Sequence, residues 1–197
     1  FQYQELIEYS KEIGITFFST AFDLRSFDFL EELQMPFYKI ASSDITHLPL
    51  LKEIAKTGKP IILSTGGASM DDVTRAVDAI LVDNSNLVLL QCTAAYPPAH
   101  NELNLRVIST FKELYQKLVI GLSSHDNGIA MDLVAYILGA RVIEKHFTLN
   151  RANKGTDNAF SLEPQGFQKL TRDLKRAYVA LGDGKKVVYD SELEPIN

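Results

Sequence analysis

Short runs of apolar, often β-branched residues alternate along the chain with longer amphipathic stretches, recurring about every two to three dozen residues. A parallel strand buried on both faces reads as a continuous apolar run, whereas a helix laid against it repeats its apolar positions three and four apart. The pattern predicts six strands, at residues 15–19, 37–41, 60–64, 87–92, 118–123 and 142–147. Helices are expected at 3–12, 24–33, 49–57, 70–83, 105–115, 129–139 and 164–181. Asp71 and Asp72, and the group Asp28, Glu31 and Glu32, read as charges at helix starts, where they complement the helix dipole. This strand–helix alternation is α/β, of the kind that builds a TIM (β/α) barrel. Six units fall short of the eight that close such a barrel, typically about 250 residues long. The remaining units are therefore expected ahead of Phe1, with residues 1–184 forming a partial barrel domain. Periodicity is lost over 185–197, which reads as a linker towards a further domain.

Composition narrows the choice of function. With 197 residues, 46% of them hydrophobic, the chain can bury one sizeable core. A net charge of -5 leaves no basic stripe to neutralise phosphates, which argues against nucleic acid as the main partner. No run is long enough to span a membrane, and no signal peptide opens the chain. The single cysteine, Cys92, closes an apolar run and is expected to be a buried thiol, in keeping with a reducing cytoplasm.

The chemistry concentrates where strands are expected to end. His125 and His146 close two apolar runs separated by a helix-length segment, so both imidazoles would face one mouth. Neutral imidazole is the commonest ligand for borderline divalent metals, although a strand-end histidine is equally often a packed structural residue. Around the same rim the sequence turns small, hydroxylated or charged: Ser19 and Thr20, Lys39 with Ser42 to Asp44, Ser64 to Gly67, Thr93, Ser123 and Ser124, and Lys145 beside His146. Such groups donate to phosphate oxygens. Lys39 sits within an apolar strand and there requires an anionic partner. By strand parity Glu144 shares a face with His146, which leaves a ligand-orienting role and a barrel-core role both open. His47 and His100 lack any partner pattern.

The segments Phe17–Asp23, Tyr38–Asp44, Gly58–Gly66, Gln91–Pro97, Gly121–His125 and Ile143–Thr148, followed by Lys154–Asn158 and Ser161–Pro164, resemble the sialic acid synthase family. The resemblance covers nearly the whole chain. It implies an enzyme that condenses phosphoenolpyruvate with N-acetylmannosamine or a related N-acetylated hexosamine, giving a nine-carbon 2-keto acid and phosphate. It further implies a divalent metal, most often Mn2+ with Mg2+ or Co2+ as alternatives, held by His125 and His146. Thr20, Lys39, Ser42, Ser64 and Ser123 match positions that hold phosphoenolpyruvate. Asp44, Tyr96 and Asp157 match positions facing the sugar, with Asp44 and Asp157 as the catalytic carboxylates. Ala94 stands where some members carry a donor asparagine. In the family a second lysine and a further acidic residue lie on strands that would precede Phe1, and an antifreeze-like domain follows the barrel. That domain covers the partner's active site, which implies a homodimer for the full-length protein. An inactive metal- and phosphate-binding barrel piece and a metal-dependent aldolase remain the alternative readings.

Overall fold

Each apolar run finds its ladder partner in the next run along the sequence, and the helix between them crosses back over one face. A computed structural model describes residues 2–193. The strands are β1 Tyr38–Ile40, β2 Ile61–Ser64, β3 Leu87–Cys92, β4 Val119–Ser124 and β5 Val142–Lys145. The helices are α1 Gln2–Ile13, α2 Leu24–Glu32, α3 Leu48–Lys56, α4 Met70–Leu81, α5 Val107–Leu114, α6 Ala130–Leu138, α7 Pro164–Ala180 and α8 Asp190–Leu193. All five strands are parallel and hydrogen-bonded in sequence order, so the sheet forms a curled half-barrel with helices on its convex side.

Register divides this wall into two faces. Lys39 lies beside Ile62, Ser64 beside Leu90, and Cys92 beside Ser123, itself beside Glu144. Because side chains alternate along a strand, these positions share the concave side. Their neighbours Tyr38, Ile40, Ile61, Leu63, Leu89, Ile120 and Leu122 point the other way, packing against Leu51 and Ile54 of α3, Val77 and Ile80 of α4, and Phe111 of α5. The apolar core is thus the layer between sheet and helices. Truncating one of its fully buried aliphatic side chains to Ala costs about 2–5 kcal/mol.

Local chemistry sets the element ends. Ser69 and Asp72 form a reciprocal capping box at the start of α4, and Asp23 accepts from the Ser26 amide at 2.7 Å to start α2. Gly139, at φ 113°, ends α6 and turns the chain into β5. Within β4, Gly121 admits no side chain, since a Cβ would stand 2.4 Å from the Val142 carbonyl oxygen and 2.5 Å from Leu90 Cδ2.

Two expectations need correction. Residues 15–19 form no strand: only Thr20 makes a bridge, to Lys39, while Ile15 is 60% exposed and Phe17 packs against Tyr3. With a single bridge the segment lacks the ladder that makes an extended run a strand. Asp28, Glu31 and Glu32 do not start a helix, because α2 begins earlier, behind Asp23. Glu31 instead pairs with Lys59 at 2.5 Å and accepts from the Tyr38 hydroxyl. Within the stretch 185–197, α8 makes one helical turn, and residues 194–197 lie outside those described. Among the described residues no helix is long and apolar enough to cross a membrane.

Candidate active site

The concave wall gathers its polar side chains at the carboxyl ends of the strands. Lys39 is buried, donates to the Ile40 carbonyl at 3.0 Å and lies 3.6 Å from Glu144 Oε2. Burial pulls its ammonium below the ordinary lysine range, and the Glu144 carboxylate pulls it back. Ser64, also buried, donates to the same Glu144 oxygen at 3.5 Å. Glu144 therefore spans the sheet from β5 towards β1 and β2 and supplies the anion that a lysine in this position requires. Beside them Ser42 accepts from the Gly66 amide at 2.9 Å, and its hydroxyl faces Cys92 Sγ at 3.6 Å. Gly66 is required there: a Cβ would meet Ala94, Cys92 and Ser42 at 2.8–2.9 Å.

The two histidines stand together at the β4 and β5 exits, with ring centroids 5.2 Å apart. His125 Nδ1 lies 3.0 Å from the Thr93 carbonyl. A carbonyl only accepts, so Nδ1 carries the proton and Nε2 keeps the lone pair. Burial lowers the His125 pKa, which keeps the ring neutral at pH 7. His146 Nδ1 is 3.5 Å from Asp157 Oδ2, a pairing that orients the second ring in a similar way. Tyr96 stacks on His125 at 4.2 Å and meets His146 edge-on, while the buried Phe160 closes the cluster 5.1 Å from His146.

Two oriented imidazoles are of a chemistry that suits a borderline divalent ion. Among the described residues no group of three His, Cys, Asp or Glu is placed to hold one. The loop after β5 is built to hold Asp157 near this pair. Leu162 donates to the His146 carbonyl at 2.8 Å, Thr148 donates to Asn158 at 2.7 Å, and Arg151 reaches Asn127 at 3.0 Å.

A second set of charged groups lies behind the histidines, on the helix side of the same strands. Lys145 donates to Ser124 Oγ, the Asp126 carbonyl and Asp126 Oδ1, each at 3.0 Å, and lies 3.6 Å from Asp132 Oδ2 on α6. Lys145, Asp126 and Asp132 are all sealed from solvent. Asp126 Oδ2 and both Asp132 oxygens have no hydrogen-bond partner. Burial accordingly pushes the Asp132 carboxyl up to about 6, against the pull of Lys145.

The structure brings Lys39, Ser42, Ser64, Ser123, His125, His146, Tyr96 and Asp157 to one mouth. Thr20 joins it only through its bridge to Lys39, and its other side lines an open cleft of about 1100 Å³ beside α1 and α2, shared with His47. Asp44 lies in the single turn Ser42–Asp44, where its carboxylate accepts from Ser43 at 3.0 Å and from no other side chain. Sequence reading passed over Phe160, and it set Lys145 on the rim with His146, whereas the structure turns Lys145 into the helix layer against Asp126 and Asp132. Strand parity was the available signal for the latter: flanked by inward Glu144 and His146, Lys145 has to point into the helix layer and needs acids there.

The match with known proteins extends along the whole chain. A family model described as the NeuB family matches residues 1–186. An N,N'-diacetyllegionaminic acid synthase from Campylobacter jejuni is 43% identical over 198 aligned residues, covering 99% of this chain and 59% of that protein. An N-acetylneuraminate-9-phosphate synthase from Homo sapiens is 40% identical, covering 98% of this chain and 54% of that protein. The crystal structure of an N-acetylneuraminic acid (sialic acid) synthetase from Leptospira borgpetersenii superposes with a TM-score of 0.90 at 38% identity, over 98% of this chain and 68% of that one. The chain thus spans somewhat over half the length of the curated relatives it matches. It belongs to the NeuB family.

Proposed function

We propose that this chain is barrel machinery of a synthase that joins phosphoenolpyruvate to an N-acetylated hexosamine, forming a nonulosonic acid and phosphate. The observation that carries this reading is the division of one concave mouth into two poles. At one pole Lys39 and the hydroxyls of Ser42, Ser64 and Ser123 offer a cation and donors to a phosphate and a carboxylate. At the other, His125 and His146 offer an open two-nitrogen site with Asp157 beside it. A small substrate bearing both a phosphate and a carboxylate fits the first pole, and an aldehyde that needs activation fits the second.

In the reaction, the C3 carbon of phosphoenolpyruvate forms a bond to the sugar aldehyde carbon, and the aldehyde oxygen takes up a proton. Water then adds at C2, and departure of phosphate leaves the keto acid. His125 and His146 would hold a divalent ion, most simply Mn2+, and such an ion would supply Lewis-acid polarisation of the electrophile. Lys39 and the serines hold the anionic half so that C3 meets the aldehyde, which removes much of the entropic barrier. Asp157, beside His146, is placed to move the proton at the sugar oxygen. Tyr96, 53% exposed over the histidines, presents a ring to the sugar.

The relatives are named for different acids, so the hexosamine is the variable part of the proposal. The test is phosphate release from phosphoenolpyruvate with Mn2+, offering N-acetylmannosamine, its 6-phosphate or a diacetamido hexose in turn. Release that requires one sugar and both histidines is the expected result. Condensation with pyruvate in place of phosphoenolpyruvate would replace the proposal with a metal-dependent aldolase. A folded chain that binds Mn2+ but releases no phosphate with any sugar would make it an inactive binding piece.

A further inference from the structure

We infer that Lys145 is a positioning residue that sets the spacing of His125 and His146 from behind the barrel wall; this rests on the reading of those histidines as a metal-binding pair. Each imidazole is adjacent in sequence to the clamp. Lys145 directly precedes His146, and its ammonium grips the main-chain carbonyl of Asp126, the residue directly after His125. Lys145 also lies in register with Ser124, the residue directly before His125, and bonds to its hydroxyl. One sealed cation thus bonds to both neighbours of His125, to the Ser124 side chain and the Asp126 main chain, while carrying His146 on its own peptide.

The arrangement goes beyond what fold stability alone would select. A β4–β5 contact to the helix layer is met elsewhere by apolar pairs such as Leu122 and Ile143, whereas here the chain buries a lysine with two aspartates and leaves three carboxylate oxygens without partners. Replacing such a cluster by packed apolar residues is often neutral or stabilising. What apolar residues do not supply is direction. Three bonds of 3.0 Å converging on one nitrogen fix the exits of two strands relative to each other, and with them the two rings whose centroids stand 5.2 Å apart. The loop side is held independently by Leu162 on the His146 carbonyl, so Lys145 supplies the restraint from the helix side.

The experiment titrates Mn2+ alone into metal-free protein and measures affinity by calorimetry, with urea midpoints recorded in parallel. Lys145→Met is expected to weaken Mn2+ binding by about ten- to hundredfold, the range for losing a residue that orients a metal ligand. Ser124→Ala, which removes one of the three bonds with little change in volume, is expected to weaken it by about three- to tenfold. Ile54→Ala in α3 serves as the control, lowering the urea midpoint while leaving Mn2+ affinity unchanged. Wild-type affinity in folded Lys145→Met protein would overturn the positioning role. Should Lys145→Met fail to fold, Ser124→Ala decides alone, and wild-type affinity there overturns it. If wild-type protein binds no Mn2+, or if His146→Ala binds it equally well, the histidine reading falls and the inference falls with it.

Discussion

The two faces of the β4–β5 exits use buried charge in opposite ways. On the concave face Lys39 and Glu144 pair at 3.6 Å, with Glu144 still 39% exposed, so their charges remain within reach of a ligand. On the helix face Lys145 and its aspartates are closed off, and their charges meet only protein. The residues alternate along the same few positions: Glu144 and His146 face in, Lys145 faces out. Strand pleat alone separates groups that face the mouth from groups sealed behind it. A desolvated charge on one face can exchange its partner for an incoming anion, whereas on the other it can only hold backbone.

This contrast can be broken first at the histidines. His146→Ala is expected to lower kcat/KM for phosphate release about a thousandfold, the worth of several kcal/mol of Lewis-acid stabilisation. Its urea stability should stay within about 1 kcal/mol of wild type, because the side chain is one-third exposed. A large loss of stability would show that the inward groups also support the fold.

On the sealed face the test is pH. The Asp132 carboxyl titrates at 3.8 when unfolded and at about 6 in the native chain, so between those values the native state holds the extra proton. Stability therefore falls as pH rises through that window and this contribution is flat above it, a change of order 3 kcal/mol. Denaturant midpoints of Asp132→Asn should gain on wild type from pH 4 to pH 6 and run parallel beyond. Parallel curves throughout would mean that the carboxyl is not desolvated as described.

Gly121→Ala sharpens the comparison from the inward side. Its Cβ would press on the Val142 carbonyl, so thermal unfolding should report a loss of about 1–3 kcal/mol although no side chain of the mouth is altered. Ser42→Ala should have a smaller effect on stability than Gly121→Ala. It leaves the Gly66 amide without its acceptor and should cost about 1 kcal/mol in chemical denaturation, together with a raised KM for phosphoenolpyruvate.

Much of this was legible in the residues. Buried parallel strands announce themselves as apolar runs, and five of the six expected strands formed within two residues of their predicted ends. The run at 15–19 has equally suitable residues but lacks a ladder, and pairing is a property of the neighbour rather than of the run. His125 and His146 were legible because strand ends converge, and Lys39 because a lysine inside an apolar strand needs an acid. Which acid was not legible. Glu144 is 105 residues away and reaches Lys39 only because the sheet curls. Asp132 was hidden for a related reason: an acid near a helix start reads as a dipole partner, and its complete burial depends on where α6 lands.

The placement of the apolar core between sheet and helices bears on how this chain can be altered. Residues that define the mouth contribute few of the contacts that hold the domain together, so substitutions at Ser42, Tyr96 or Asp157 reshape its lining against a nearly constant folding background. A library confined to the concave wall should yield mostly folded variants that differ in selectivity. One confined to the helix-facing wall should yield mostly variants that differ in whether they fold.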